Sequence, residues 1–363
     1  MRKKNIYILV DAGFLNNSSG INTFVKHLIN MFVDELNMNV KIITDNKDII
    51  LPNNCYHDVE IISCENFTHI LPVNTPIENQ HLISKKIQKA ILDNVNKDNE
   101  NIFIANSYST TLTLTNIMDI YKKSNFITYT HIGDIFSPDL KYCFDFSSEI
   151  TNAYLDILKN NKKIEIFTQS ETMKKQLLKV LDDEEINIKV VTMPVFVDFS
   201  FNDFEKYNDV IIICSNYKRK RFDKMFKFLQ GSNLKIKILM HDTKGYYDIE
   251  KLGKEYELDI DIYKDIPNEY VQLHICSSKM LLHFSDIEVY PYSILESSFF
   301  IPVVINNAEW CNSFKEMAIL TDYESNYNMI KTELKTKPIN NYKKYRDMFL
   351  KDWRLYCLKE DLC

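Results

Sequence analysis

The sequence predicts an α/β protein built from two doubly wound domains whose parallel sheets face a cleft. Short runs rich in Ile and Val alternate with longer amphipathic segments along the whole chain. These runs are nearly continuous in apolar residues, as expected for strands of a parallel sheet that is covered on both faces. The alternation stops once, at 194–209, and then restarts. A chain of 363 residues is also longer than one hydrophobic core usually serves.

Strand-like runs and helical patterns give the order of the elements. In the first half the predicted strands are 5–10, 40–44, 101–106, 126–131, 164–169 and 188–193, with helices at 21–36 and 82–95. In the second half they are 209–214, 235–240, 257–263, 279–284 and 301–306, with helices from about 221 and after Pro338. We therefore expect domains at 1–197 and 198–337, and a C-terminal helix at 338–363 that returns to the first domain.

The composition is that of an ordinary globular protein. The net charge of −6 gives no global basic field for nucleic acid, although a local basic patch is compatible with it. The eight cysteines include no CxxC pair, so we expect reduced thiols and no zinc site. Apolar runs fall short of the ~18–20 residues of a membrane span, and the N-terminal run is too short for a secretory signal. These features predict a soluble, cytoplasmic protein.

Ligand-binding residues are expected in the loops that follow the strands, because open parallel sheets bind ligands outside the carboxyl ends of their strands. The loop after the first strand ends in Gly20 before a helix, where N–H groups are placed to meet an anion or a sugar hydroxyl. The fourth predicted strand ends in His131, and Asp134 follows three residues later. These two side chains offer acid–base or hydroxyl-binding groups. A capped loop and a structural histidine are the alternatives.

A run of cations follows the first strand of the second half. Ser215 comes directly after that strand, and Lys218, Arg219, Lys220 and Arg221 follow it. Fixed positive charge together with the N–H groups of a helix start suits a diphosphate. A solvated basic helix start is the alternative.

Two glutamates flank a predicted helix start further along the chain. Glu288 lies in the loop after a strand, and Tyr292 and Ser293 begin a helix that contains Glu296. Carboxylates accept hydrogen bonds from vicinal hydroxyls, so a ribose or hexose diol is a natural partner. We place Glu296 in the first turn, where the helix dipole alone also favours a carboxylate. The pair therefore indicates a sugar-binding site more strongly than Glu296 does by itself.

Together these motifs resemble the retaining nucleotide-sugar glycosyltransferases of the GT-B fold, which consist of two Rossmann-like domains. The likeness rests on two glutamates separated by seven residues, on the strand Ile-Pro-Val-Val at 301–304, and on the cations that open the second half. The turn after Glu296 departs from the family, because Ser-Ser-Phe-Phe stands where the family has a small, glycine-containing helix end.

The resemblance implies a role for each candidate residue. Glu296 would bind the nucleotide ribose and Glu288 the donor sugar. Lys220, with Lys218 or Arg219, would hold the diphosphate of a UDP-sugar. Gly20 would lie in the glycine loop, and His131 would position sugar and acceptor. His131, Asp134 and Glu288 are the predicted catalytic residues. Ser215, Tyr292 and Ser293 complete the predicted donor site.

The resemblance also implies how the domains divide the work. The N-terminal domain would bind the acceptor and the C-terminal domain the nucleotide sugar. The family uses lysine and arginine in place of a metal, so neither a metal nor a cofactor is expected.

Within this family the sequence is most similar to the DNA α-glucosyltransferases of T-even phages, which modify 5-hydroxymethylcytosine. The likeness includes Asn106-Ser107, Tyr129-Thr130-His131 and Lys220-Arg221-Phe222. It implies double-stranded DNA with a hydroxymethylated pyrimidine as the acceptor, and the cytoplasm of a phage's host as the location.

The C-terminal tail is the predicted DNA-binding element. Residues 331–354 contain eight Lys or Arg against three Asp or Glu, interleaved with Tyr342, Tyr345 and Trp353. Cations suit phosphate contacts, and aromatic rings suit stacking on bases. A helix that braces the first domain is the alternative, and both roles are compatible.

Other functions stay open at this point. The acceptor is alternatively a cell-envelope glycan or a lipid-linked sugar. A non-catalytic protein that binds a nucleotide sugar would keep the same motifs. Asp259 and Asp261 form a D-x-D motif, but their alternation on a predicted strand makes a metal-dependent transferase a weak alternative.

Overall fold

The computed structural model describes most of the chain in eleven segments and one residue pair. These are residues 5–12, 20–46, 59–64, 76–130, 148–183, 185–192, 195–197, 205–240, 245–288, 290–337, 339–340 and 342–359. The chain divides into two compact units. The N-terminal unit comprises Met1–Pro194 and Asp347–Cys363, and the C-terminal unit comprises Val195–Arg346.

The N-terminal unit is built on a parallel sheet, with seven strands in the part of the chain that the structure describes. They are β1 (Asn5–Val10), β2 (Asn39–Thr44), β3 (Glu60–Ser63), β4 (Asn101–Ala105), β5 (Asn125–Tyr129), β6 (Ile164–Thr168) and β7 (Ile188–Val190). Their order in the sheet is β3-β2-β1-β4-β5-β6-β7. Central side chains such as Ile8, Ile104 and Ile127 are fully buried, and each stabilises the fold by about 1.5–3 kcal/mol.

The C-terminal unit repeats this arrangement with six parallel strands among its described residues. They are β8 (Asn208–Ile213), β9 (Lys235–Met240), β10 (Asp259–Lys264), β11 (Ser278–His283), β12 (Val303–Asn306) and β13 (Ile319–Thr321). Their order is β10-β9-β8-β11-β12-β13. In both sheets the chain first adds strands on one side and then reverses direction, which is the doubly wound pattern of dinucleotide-binding folds. The predicted fold class of two doubly wound parallel sheets is confirmed.

Helices cover the sheets, as the near-continuous apolar strands require. The described helices are α1 (Gly20–Asn30), α2 (Ile77–Asn94), α3 (Tyr108–Ile117), α4 (Ser148–Asn160), α5 (Glu171–Leu181), α6 (Phe222–Leu229), α7 (Ile249–Glu255), α8 (Asn268–Cys276), α9 (Tyr292–Ser298), α10 (Tyr327–Thr336) and α11 (Tyr342–Lys359). A π-helical turn at Met31–Glu35 extends α1, so the predicted helix at 21–36 is continuous but changes its hydrogen-bonding pattern. No described helix is long and apolar enough to cross a membrane.

The last helix, α11, packs with aromatic rings at two places. Tyr342 and Tyr345 lie against Phe299 of the C-terminal unit, with ring centroids 5.1 and 6.0 Å apart. Trp353 lies in the N-terminal unit, where its ring contacts Phe32 at 4.9 Å between centroids. Tyr345 is 8% exposed and Trp353 is 1% exposed. The expectation that these two rings stack on nucleic-acid bases is therefore wrong, because both are buried in the protein.

Candidate functional site

The candidate site lies in the C-terminal unit, at the point where its strand order reverses. β8 and β11 are neighbours there, and the connections that leave their carboxyl ends run to opposite sides of the sheet. Such a reversal leaves a crevice between two loops, and open α/β sheets bind their ligands in it. The two loops are 214–221 after β8 and, among the described residues, 284–288 with 290–291 after β11.

The side chains of the four consecutive cations in the loop after β8 point in different directions. A single 3₁₀ turn, Lys218–Lys220, follows the strand, and Arg221 then adopts a left-handed conformation with φ of 45°. α6 begins immediately afterwards at Phe222, which is fully buried. The tight turn separates side chains that are neighbours in sequence.

Glu288 is the centre of a buried charged cluster. Its Oε1 accepts a hydrogen bond from Nζ of Lys220, lies 3.2 Å from Nη1 of Arg219, and lies 3.0 Å from Nε2 of His283. The side chains of Glu288, Lys220, Arg219 and His283 are 9%, 8%, 12% and 2% exposed. The structure thus brings together three of the residues that the sequence singled out, and adds the histidine.

Burial and charge set the ionisation of this cluster. Burial alone would raise the pKa of Glu288, but Lys220 and Arg219 outweigh it and hold that pKa well below its usual value. Burial lowers the pKa of Lys220, against the opposing effect of Glu288. Burial, reinforced by Lys220, also lowers the pKa of His283. The Glu288 carboxylate thus lies between the ammonium group of Lys220 and the guanidinium of Arg219, and the lowered pKa of His283 favours a neutral imidazole beside them.

The other two cations of the run have different partners. The ammonium group of Lys218 is exposed and lies 5.5 Å from the ring centroid of Tyr246. The guanidinium of Arg221 forms ion pairs with Asp223 at 3.0 Å and with Asp286 at 3.1 Å. The sequence could not assign the four cations individually, and the structure turns Arg219 and Lys220 towards Glu288.

The loop after β9 is fastened to the loop after β8 by Asn216. The side chain of Asn216 accepts from the N–H of Tyr247 at 3.0 Å and donates to the carbonyl of Tyr247 at 2.8 Å. Gly245 packs directly against it, because a Cβ at Gly245 would lie 2.2 Å from the carbonyl oxygen of Asn216. This fastening leaves a cavity of about 470 Å³, whose lining includes Tyr246, Asp248 and Lys264.

The short helix α9 presents the second predicted glutamate. Ser293 and Glu296 are half-buried, whereas the residues between them are buried, so these two polar side chains share the open face of the helix. The helix begins at Tyr292, as predicted, but Glu296 is its fifth residue and lies in the second turn, not in the predicted first turn. Tyr292 is nearly buried, and its ring packs edge-on against Tyr290 at 5.5 Å.

The end of α9, where the sequence departs from the family, is closed without glycine. Phe299 keeps a right-handed conformation with φ of −90°, and Phe300 and Ile301 both donate N–H groups to the carbonyl of Ser297 at 2.9 Å. Asn340 caps the next carbonyl, that of Ser298, through its backbone N–H at 3.1 Å and its side-chain Nδ2 at 3.2 Å. A polar side chain from beyond α10 thus contributes to a helix end that often relies on glycine.

The predicted residues of the N-terminal unit are only partly described. Gly20 is the first residue of α1. His131 and Asp134 lie outside the described residues. At the equivalent strand reversal of this sheet, Asn106 and Ser107 follow β4, and the Ser107 side chain caps α3.

Three residues of the C-terminal site were missed by sequence reasoning. His283 contacts Glu288, Asp286 contacts Arg221, and Asn216 holds the loop after β9. A histidine at the end of an apolar strand was the signal available for His283. Ser215, which was predicted, is half-buried, and its carbonyl accepts from the N–H of Tyr217 at 3.0 Å.

The described residues contain no group of three or more His, Cys, Asp or Glu side chains placed to hold a metal ion. Asp259 and Asp261 of the D-x-D motif lie on the edge strand β10, away from the loops of the strand reversal.

Solved structures similar to this chain cover nearly its whole length. Sucrose-phosphate synthase from Thermosynechococcus elongatus has a TM-score of 0.72 at 10% identity, over 99% of both chains. Anabaena HepE in complex with UDP-glucose has a TM-score of 0.60 at 12% identity, over 99% of this chain and 96% of that one. WaaG, a glycosyltransferase involved in lipopolysaccharide biosynthesis, has a TM-score of 0.59 at 11% identity, over the same shares.

No family model and no curated protein matches the sequence. At these low identities the structural likeness concerns the fold. Two parallel sheets of the same doubly wound order, flanked by helices, extend over both units of the chain. The chain therefore has the GT-B fold.

Proposed function

We propose that this protein is a glycosyltransferase that takes a UDP-sugar as its donor and transfers the sugar to an acceptor hydroxyl. One observation carries the proposal. Arg219 and Lys220 converge on Glu288 in the crevice where the strand order of the C-terminal sheet reverses. Two cations beside a carboxylate supply the groups that a diphosphate and a sugar diol need. Structures of similar fold have been solved with UDP-glucose, and with UDP and glucose.

In this proposal the diphosphate replaces Glu288 as the partner of the two cations. Phosphate oxygens accept charge-assisted hydrogen bonds from guanidinium and ammonium groups, at about 2.7–2.9 Å. The same cations stabilise the negative charge that develops on the diphosphate as the sugar leaves, and this is the main catalytic contribution we assign to the protein. As in the sequence resemblance, no metal takes part.

The two glutamates bind hydroxyls of the donor. Glu288, released from the cations, accepts from hydroxyls of the sugar, and Glu296 accepts from those of the ribose. Ser293 lies on the same open face of α9 as Glu296. The nearly buried Tyr292 offers its backbone rather than its ring.

We assign the nucleobase to the cavity beside the loop after β9. Tyr246 lines it with an exposed ring, and Lys218 lies over that ring. A planar base stacks favourably on such an aromatic face. The cavity adjoins the loop that carries Arg219 and Lys220, since Asn216 connects the two loops.

The resemblance supports transfer with retention at the anomeric carbon. The leaving diphosphate then takes the proton of the acceptor hydroxyl on the same face of the sugar, while the new glycosidic bond forms and the bond to phosphate breaks. His131 and Asp134 are assigned to positioning the sugar and the acceptor.

For the acceptor we propose a 5-hydroxymethylpyrimidine in double-stranded DNA. Because Tyr345 and Trp353 are buried, the positive charge of α11 is the feature of this helix that still supports DNA binding. Lys343, Lys344 and Lys351 are exposed, and such side chains suit contacts to phosphates. Binding to DNA should then weaken steeply with salt and depend little on base sequence. A cell-envelope glycan is the alternative acceptor.

The test is incubation with a panel of UDP-sugars and either hydroxymethylated DNA or glycan acceptors. A mass gain on the nucleoside confirms donor and acceptor together. Transfer to glycans alone confirms the enzyme and rejects DNA. Tight UDP-sugar binding without UDP release, for every acceptor, rejects the enzyme in favour of a nucleotide-sugar-binding protein.

Variants of the two glutamates test the assignment within the site. Glu296→Ala should weaken UDP binding, because the ribose loses its acceptor group. Glu288→Ala should chiefly reduce turnover and change the choice of donor. Glu324→Ala, which removes an exposed carboxylate beside Lys224 and Lys227, is the matched control. If both site variants behave like the control, the site is wrongly placed.

A further inference from the structure

Arg221 has a backbone conformation that its residue type disfavours. Its φ of 45° places it in the left-handed region, where a side chain crowds the neighbouring carbonyl and glycine is usual. Arg221 is also the residue directly before α6, and its side chain makes no capping hydrogen bond there. An arginine in this position needs contacts that glycine would not supply.

Two carboxylates supply those contacts. Nε and Nη2 of Arg221 donate to the two oxygens of Asp223 at 3.2 and 3.0 Å. Nη1 donates to Asp286 at 3.1 and 3.4 Å. The hydrogen bonds that Arg221 donates to Asp223 raise the pKa of Arg221 further above its usual value. The guanidinium is thus hydrogen-bonded to protein carboxylates on two sides.

Asp286 is itself held in place by a further hydrogen bond. Its Oδ1 accepts from the hydroxyl of Tyr323 at 2.9 Å, and that hydroxyl accepts from Nδ2 of Asn306 at 3.0 Å. The ring of Tyr323 lies 5.3 Å from the guanidinium carbon of Arg221. Arg221 therefore connects the loop after β8 to groups anchored at β12 and just after β13.

The same loops carry the charged cluster. The backbone N–H of Asp286 donates to the carbonyl of Arg219 at 2.9 Å, and Nη1 of Arg219 donates to the carbonyl of Ile287 at 3.1 Å. Lys220 precedes Arg221 in the chain, and Glu288 follows Asp286 by two residues. The Arg221–Asp286 pair is consequently the side-chain link immediately next to the Lys220–Glu288 pair.

We propose that Arg221 is a positioning residue that holds the loop after β8 against the loop after β11, so that Lys220 and Arg219 are presented to the ligand in fixed geometry. In this role, which rests on the proposed function for the identity of the ligand, Arg221 does not touch the diphosphate. It acts through Lys220 and Arg219.

The chain offers variants that separate this role from direct binding and from backbone strain. Arg221→Gly removes the guanidinium but suits the left-handed φ. Asp286→Asn removes the charge of the partner and keeps its shape. Lys227→Ala, which removes an exposed ion pair from α6, is the matched control. Circular dichroism and urea unfolding show whether each variant is folded.

UDP affinity, measured by calorimetry, is the first readout. Arg221→Gly and Asp286→Asn should each raise the dissociation constant about tenfold, while the control leaves it unchanged. In a Lys220→Met background, Arg221→Gly should add clearly less than a tenfold change, because one of the two residues through which it acts is gone. An unchanged affinity in the wild-type background, or a full tenfold loss in the Lys220→Met background, would overturn the proposal.

The second readout needs no ligand. The coupling between Lys220→Met and Glu288→Gln in urea unfolding measures how well the two side chains are held together. It should fall by at least half when Arg221 is replaced by glycine, and an unchanged coupling would refute the positioning role. If the wild-type protein binds no UDP, the proposed function fails, and this coupling alone decides whether Arg221 positions the cluster.

Discussion

Replacing Glu288 by glutamine should weaken the fold and tighten the binding of UDP. The change keeps the shape of the side chain and removes its charge, so Lys220 and Arg219 lose the anion beside them. Both cations are largely buried, and a buried charge without a partner is destabilising. A diphosphate restores the missing negative charge, and the variant therefore gains more from binding than the wild type does.

The magnitude follows from the contact distances. Two unit charges 3.2 Å apart, as for Arg219 and Glu288, attract each other by about 5 kcal/mol at an effective dielectric constant of about 20. Glutamine still accepts a hydrogen bond from Lys220 and retains part of this energy. We expect the free energy of unfolding to fall by about 3 kcal/mol, near the lower end for breaking a buried ion pair. If UDP binding restores about 1.4 kcal/mol of this lost free energy, the variant binds UDP about tenfold more tightly than the wild type.

Urea unfolding with and without UDP, together with calorimetric titration of UDP, measures both effects. Glu324→Gln is the control, because Glu324 also pairs with two lysines at 2.9 and 2.6 Å but is exposed. Exposed pairs contribute little, so the control should change neither quantity measurably. If Glu288→Gln loses UDP affinity, or if its stability equals that of the wild type, the reasoning about the buried cluster is refuted.

Further predictions concern the loop after β9, the buried histidine and the last helix. Gly245→Ala places a Cβ 2.2 Å from the carbonyl oxygen of Asn216. It should lower the free energy of unfolding in urea by about 1–3 kcal/mol and weaken UDP binding. Unchanged stability and unchanged UDP affinity would show that this loop is not fixed. Burial lowers the pKa of His283 in the folded protein. As the pH falls below about 6.5, the His283 imidazole is therefore protonated in the unfolded chain before it is protonated in the folded protein. The free energy of unfolding then falls by up to about 1.4 kcal/mol per pH unit. His283→Asn should flatten that pH dependence between pH 7.5 and 5.5, and an identical slope would contradict the assignment. Trp353→Ala should cost about 3–5 kcal/mol while the exposed Arg354→Ala does not, and a loss below about 1 kcal/mol for Trp353→Ala would mean that α11 does not stabilise the core.

The sheets were predictable because their strands are apolar on both faces. β1 shows this pattern at Ile6–Val10 and β8 shows it at Val210–Ile213, and no helix period competes with it. β3 and β13 were missed because they are edge strands of four and three residues, too short to show any period. Such short segments form strands because of their contacts with neighbouring elements, and the local sequence does not reveal these contacts.

The candidate site was predictable in its location and in its charged residues, but not in its geometry. Lys220 and Glu288 were found because cations and carboxylates at strand ends are unusual. The division of the four cations depends on the φ of Arg221 and on its pairing with Asp286, which is distant in sequence. The start of α9 at Tyr292 was predicted correctly, but Glu296 is the fifth residue of this helix and therefore lies just past its first turn.

The tail shows a different limit of sequence reasoning. Its aromatic residues are interleaved with cations, and this pattern fits a nucleic-acid surface and a packed helix equally well. The contacts of Trp353 with Phe32 and Phe167 decide for packing. Only the tertiary structure distinguishes a ring that faces solvent from one that faces the core.

The charged cluster joins residues far apart along the chain, and this affects how the protein reaches its native state. Lys220 and Glu288 are separated by 68 residues and come together only when β8 pairs with β11. A contact of such long range requires that the entropy of closing that segment is lost first. A chain with an unformed C-terminal sheet would therefore have no cluster at all, and the cluster appears together with the completed C-terminal unit.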